Sequence, residues 1–122
     1  MLSFTKTFSG DILEDEITAD DIYFIIERTE SSVTDKYLKA DGTFTSNADE
    51  AHIRIADLVK TSGKLVWSKD YEVPAGEYTV TEYNQDMFVG KSNLKYVCLS
   101  SSITTDTTTV DPPGSLKLDN EY

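Results

Sequence analysis

Apolar and polar residues alternate along most of this chain in short runs rich in Thr, Val, Ile and Tyr, and turn residues separate the runs. A period of two is the signature of an extended strand, whose side chains point to opposite faces in turn. No long helical period is present, and no internal repeat of about 20–50 residues is visible. The runs predict strands near 2–8, 21–28, 34–39, 43–46, 51–56, 64–71, 77–83, 94–101, 103–110 and 115–122. "ADGT" at 40–43 and "TSGK" at 61–64 predict tight turns, and "DPPG" at 111–114 separates the last two strands. The acidic, weakly periodic stretch at 9–21 is expected to be a crossing loop. Many short strands in 122 residues predict one all-β domain over 1–122, a β-sandwich of two sheets.

Charge narrows the partners. A formal net charge of −11 repels nucleic acid and anionic lipid surfaces, so neither is expected as a partner. The single cysteine, Cys98, has no internal disulfide partner, and the single histidine, His52, has no second imidazole to share a zinc ion. The segment "LEDE" lacks the oxygen-ligand spacing and glycine of a calcium loop. No phosphate-cradling glycine loop and no Ser/His/Asp or Cys/His constellation is readable, so neither a metal, a cofactor nor a turnover enzyme is expected. The start "MLSFTKTF" is not a secretory leader, and no run approaches the roughly 20 apolar residues of a membrane span. The chain as given is expected to be mature or excised, without membrane insertion.

Three runs break their own pattern. In the first, Phe4, Lys6 and Phe8 share one face, and a lysine lies between two phenylalanines. In "EYTVTEY", Tyr78, Val80 and Glu82 share a face. In "SLKLDNEY", Leu116, Leu118, Asn120 and Tyr122 share a face whose opposite is wholly polar. One such residue is ordinarily solvated or snorkels along its stem. An amine, a carboxyl and a carboxamide on three apolar faces are a different case. Unpaired, each costs a few kcal/mol, and the three are satisfied together only if the fold brings them to one place.

Burial disfavours charge, so it lowers an amine's pKa and raises a carboxyl's. A neutral Lys6 amine is a nucleophile, and the Asn120 carboxamide carbon is an electrophile. A protonated Glu82 can polarise the carbonyl and pass a proton to the leaving ammonia. The product is an amide between Lys6 and Asn120, formed once per molecule. Asp119 is an alternative acyl partner if the register shifts by one residue, but that slip would expose both leucines.

The stretches "FTKTFSG" at 4–10, "VPAGEYTVTEY" at 73–83 and "LDNEY" at 118–122 resemble the Cna B-type (collagen-adhesin B-type, prealbumin-like) domains of Gram-positive surface proteins and pilins. Residues 9–70 and 84–110 match only as a generic run of strands. The resemblance implies an immunoglobulin-like sandwich whose first and last strands are neighbours, locked by a lysine–asparagine isopeptide bond. Lys6 then looks like the nucleophile, Asn120 like the acyl donor and Glu82 like the catalytic acid. It further implies a stalk or spacer module of an extracellular, cell-wall-anchored adhesin or pilus, with neighbouring domains of the same protein as partners. Two other expectations remain open. One is an adhesin head that binds a host matrix protein or glycan through Tyr71, Tyr83 or the threonine strands; the other is an enzyme-accessory sandwich. Trp67 and Cys98 are expected in or near the core.

Overall fold

Strands form where the alternation is longest. In the computed structural model, residues 1–9, 22–30, 32–83, 105–110 and 114–121 are described, without the side chains of Ser9, Thr105, Thr109, Val110, Asn120 and Glu121. The strands are β1 (Leu2–Ser9), β2 (Tyr23–Arg28), β3 (Tyr37–Leu38), β4 (Phe44–Thr45), β5 (Ile53–Arg54), β6 (Val59–Lys60), β7 (Val66–Tyr71), β8 (Gly76–Tyr83), β9 (Thr105–Val110) and β10 (Gly114–Glu121). The expected strand at 94–101, the loop from residue 10 to 21 and residues 111–113 of the last turn lie outside the described residues.

Two sheets result. One has the order β10-β1-β7-β6, the other β4-β3-β2-β8-β9, with β5 pairing the part of β2 that β3 leaves free. The chain is therefore all-β and sandwich-like, as its alternation predicts. β1 runs parallel to β10 and antiparallel to β7, so the first and last described strands are hydrogen-bonded neighbours. β8 lies between β2 and β9 inside the other sheet.

The core fills the space between the sheets with alternate residues of each strand. Leu2, Phe4, Phe8, Trp67, Tyr71, Leu116 and Leu118 come from one sheet, and Phe24, Ile26, Leu38, Ile53, Tyr78 and Val80 from the other. The Phe4 and Phe24 rings meet edge to face across the interface, with centroids 4.9 Å apart. Each such side chain contributes about 1.5–3 kcal/mol on burial. Trp67 takes its expected core place.

The short connections follow local chemistry. At 40–43 the Lys39 N–H donates to the Thr43 carbonyl at 2.7 Å, and Gly42 adopts a φ of 92°, which favours glycine. The Asp41 carboxylate accepts the Thr43 N–H and hydroxyl, and these bonds hold its pKa below the ordinary value. Three expected strands change extent. The runs at 34–39 and 43–46 narrow to Tyr37–Leu38 and Phe44–Thr45, and the run at 51–56 pairs only at Ile53–Arg54. There the Asp57 carboxylate accepts the Arg54 N–H at 2.9 Å, which turns Ile55–Asp57 into a single 3-10 turn. β6 was not expected at all.

Candidate functional site

β1 is an interior strand, so alternate residues along it enter the core without exception: Leu2, Phe4, Lys6 and Phe8 are all buried. Position 6 cannot turn outward without turning both phenylalanines out with it. Lys6 is in register with Trp67 on β7 and with Leu118 on β10. β8 repeats the logic in the facing sheet: Tyr78, Val80 and Glu82 are buried, and Glu82 is in register with Phe24.

The two charged groups meet between the sheets. Lys6 Nζ lies 3.0 Å from Glu82 Oε1, and both side chains are 0% exposed. At that distance the amine and the carboxyl interact by charge and by a hydrogen bond whose alignment is poor, so both oxygens keep acceptor capacity. Burial raises the pKa of Glu82 above its ordinary value, and the charge and hydrogen-bonding of Lys6 only partly oppose the rise. Lys6 Nζ also sits over the Phe8 ring, 4.7 Å from its centroid. Trp67 braces that ring edge to face, with centroids 5.6 Å apart and planes at 86°.

Asn120 enters through the backbone. It is in register with Phe8, two residues beyond the Lys6–Leu118 pair, on the strand beside β1. Leu116 and Leu118 are fully buried, whereas Ser115, Lys117 and Asp119 are exposed. Asp119 is thus on the solvent side of β10, and the one-residue slip that would make it an acyl partner is not the register observed. Of the three sequence-predicted residues, Lys6 and Glu82 are in contact, and the Asn120 side chain lies outside the described residues. The bracing by Phe8 and Trp67 was missed by sequence reasoning; an aromatic two residues from a buried lysine is the signal that was available.

A second cluster lies on the outer face of the other sheet. Tyr23 stacks on His52 at 3.9 Å and on Tyr83 at 5.0 Å, each pair 11° from parallel, with the Arg54 guanidinium 6.0 Å from the Tyr23 centroid. The cross-strand register of Tyr23 with Tyr83 builds this stack. Tyr83 is exposed, as the adhesin expectation required; Tyr71 is not. It points into the core, is 2% exposed, and burial pushes its hydroxyl pKa far up. Its place on the inward parity of β7, with Trp67, explains the correction. Among the described residues, no three His, Cys, Asp or Glu gather as a metal site.

No family model matches this chain, and no curated protein or solved structure does. The class defined by its own geometry is an all-β sandwich with a buried amine–carboxyl pair across its sheets.

Proposed function

We propose that this domain crosslinks itself, joining Lys6 to Asn120 by an isopeptide bond with Glu82 as the acid–base group. The observation that carries this reading is the buried contact of 3.0 Å between Lys6 and Glu82, one strand away from the backbone of Asn120. A structural role alone is a poor account of that pair. Taking two charges out of water costs several kcal/mol per ion, and apolar residues of similar volume would serve stability as well or better.

Transfer of one proton from Lys6 to Glu82 leaves an amine and a carboxylic acid, the two forms that the reaction needs. The amine lone pair attacks Cγ of Asn120, and the carbonyl electrons move to oxygen, which the acid stabilises. Collapse of the adduct breaks the C–N bond of the carboxamide. Glu82 relays the proton of the attacking nitrogen to the departing one, and ammonia leaves. An amide is a poor acyl donor, so the fold must supply alignment, for which effective molarities of about 10⁵–10⁸ M set the scale.

The role that fits such a bond is a stalk or spacer of a Cna B-type surface adhesin or pilus, set in tandem with neighbouring domains outside the cell. Intact-mass measurement tests the chemistry. The wild-type chain should be lighter than its sequence by one ammonia, and Lys6→Ala, Asn120→Ala and Glu82→Gln should each weigh their full value. A wild-type chain of full mass ends the proposal. The stacked Tyr23, His52 and Tyr83 favour a second reading, an adhesin head for a host protein or glycan. It predicts saturable binding that Tyr83→Ala abolishes.

A further inference from the structure

β10 carries Asn120, and among the described residues it is laddered to β1 alone. Beside its other flank lies β9, the last strand of the opposite sheet among the described residues. A hydrogen bond joins them: the backbone N–H of Lys117 donates to Asp106 Oδ2 at 2.8 Å. The carboxylate that accepts it stands on the sheet that carries Glu82. Asp106 is in register with Val80, two residues before Glu82 on β8. Lys117 is three residues before Asn120.

From this geometry we infer that Asp106 is a positioning residue for the crosslink, holding the Asn120 strand against the sheet that bears the acid. The inference rests on the crosslinking reading above. A strand laddered on one side, as β10 is among the described residues, can rock about that ladder, and the leucines that anchor β10 fix its face and depth but not its lean toward β9. A carboxylate bonded to a backbone N–H removes that freedom, and it spends the free donor that would otherwise invite another strand to add. In a reaction without a cofactor, where alignment supplies the rate, a displacement of about 1 Å can cost 10²-fold. Asp106 touches neither reacting atom. It sets where one of them is held.

The test uses the full chain, made in a short cell-free pulse and sampled over time by intact mass, so that the half-time for losing ammonia is read directly. Asp106→Ala should lengthen that half-time by roughly tenfold, the scale of one lost charge-assisted hydrogen bond. Asp106→Asn keeps an acceptor oxygen in place and should stay close to wild type. Asp106→Thr, a strand-favouring residue without the carboxylate's reach, gives the same comparison if the alanine chain fails to fold. In chains that also carry Lys6→Ala, the Lys117 amide should be protected from hydrogen exchange with Asp or Asn at 106 and lose protection with Ala or Thr. A wild-type chain that keeps its full mass removes the crosslink and the role of Asp106 together. A wild-type chain that crosslinks while Asp106→Ala keeps pace overturns the role of Asp106 alone. So does Asp106→Asn as slow as alanine, or a Lys117 amide indifferent to residue 106.

Discussion

At the scale of single residues, Glu82 gives the fold a measurable dependence on pH. Its carboxyl titrates above the ordinary value of 4.5 when folded, because burial penalises the anion more than Lys6 rescues it. Between the ordinary value and the raised one, the folded chain holds a proton that the unfolded chain has released. Stability from this group is therefore fully present below that window and lost as pH rises through it. In an Asn120→Ala chain, which retains the pair without a crosslink, Glu82→Gln should remove that fall. Urea titrations of the two chains from acid to neutral pH would show it as a stability difference that changes with pH. A constant difference would mean that the carboxyl is solvated. On the same background Lys6→Met strands the carboxyl and should cost about 3 kcal/mol, while Lys6→Met with Glu82→Leu should recover most of it. Both residues were legible in the sequence because a single polar residue interrupted a strict apolar parity. Asp106 was not, because a carboxylate on an edge strand looks like any solvated one until the neighbouring strand is known.

At the scale of elements, the long strands were legible, β3, β4 and β5 were legible only as longer runs, and β6 was not legible at all. β1, β7, β8 and β10 each carry enough alternation for a face to be assigned. Val59–Lys60 carries none, since two residues have no period, and it exists because β7 offers Ser68 and Trp67 as partners. Tertiary pairing decides such pieces, so no local signal reports them. The start of β8 is different, because there the backbone itself is demanding. Gly76 has a φ of 153°, and a Cβ at this position would meet the Glu30 carboxylate. Glu30 is exposed and can swing away, so the clash is cheap and the dihedral is the lasting cost, about 1–3 kcal/mol. Gly76→Ala should lower the urea midpoint accordingly, and adding Glu30→Ala should not restore it. Recovery in the double variant would show that crowding, not backbone strain, sets the preference for glycine.

At the scale of the whole molecule, what matters is that β1 and β10 are parallel. Leu2 is in register with Gly114 and Ser9 with Glu121, so the chain enters at one end of this strand pair and leaves at the other. Force applied beyond Leu2 and Glu121 shears the pair along its length. With Lys6 joined to Asn120, that force passes from β1 into β10 through the new amide, and residues 7–119 carry none of it. The same bond closes a loop of more than a hundred residues, which is worth about 4–5 kcal/mol by the chain-entropy estimate for crosslinks. For a domain of this size that corresponds to roughly 15–20 °C in melting temperature. Wild type should therefore melt that far above Asn120→Ala. Pulled at its ends, wild type should show no domain-sized extension step, whereas Asn120→Ala should show one. The two measurements separate two effects: entropy lost from the unfolded chain raises the melting point wherever a long loop is closed, but the extension step vanishes only if the closure lies at the ends of the load path. A crosslinked chain that melts high yet still extends by a full domain would place the covalent bond elsewhere in the fold.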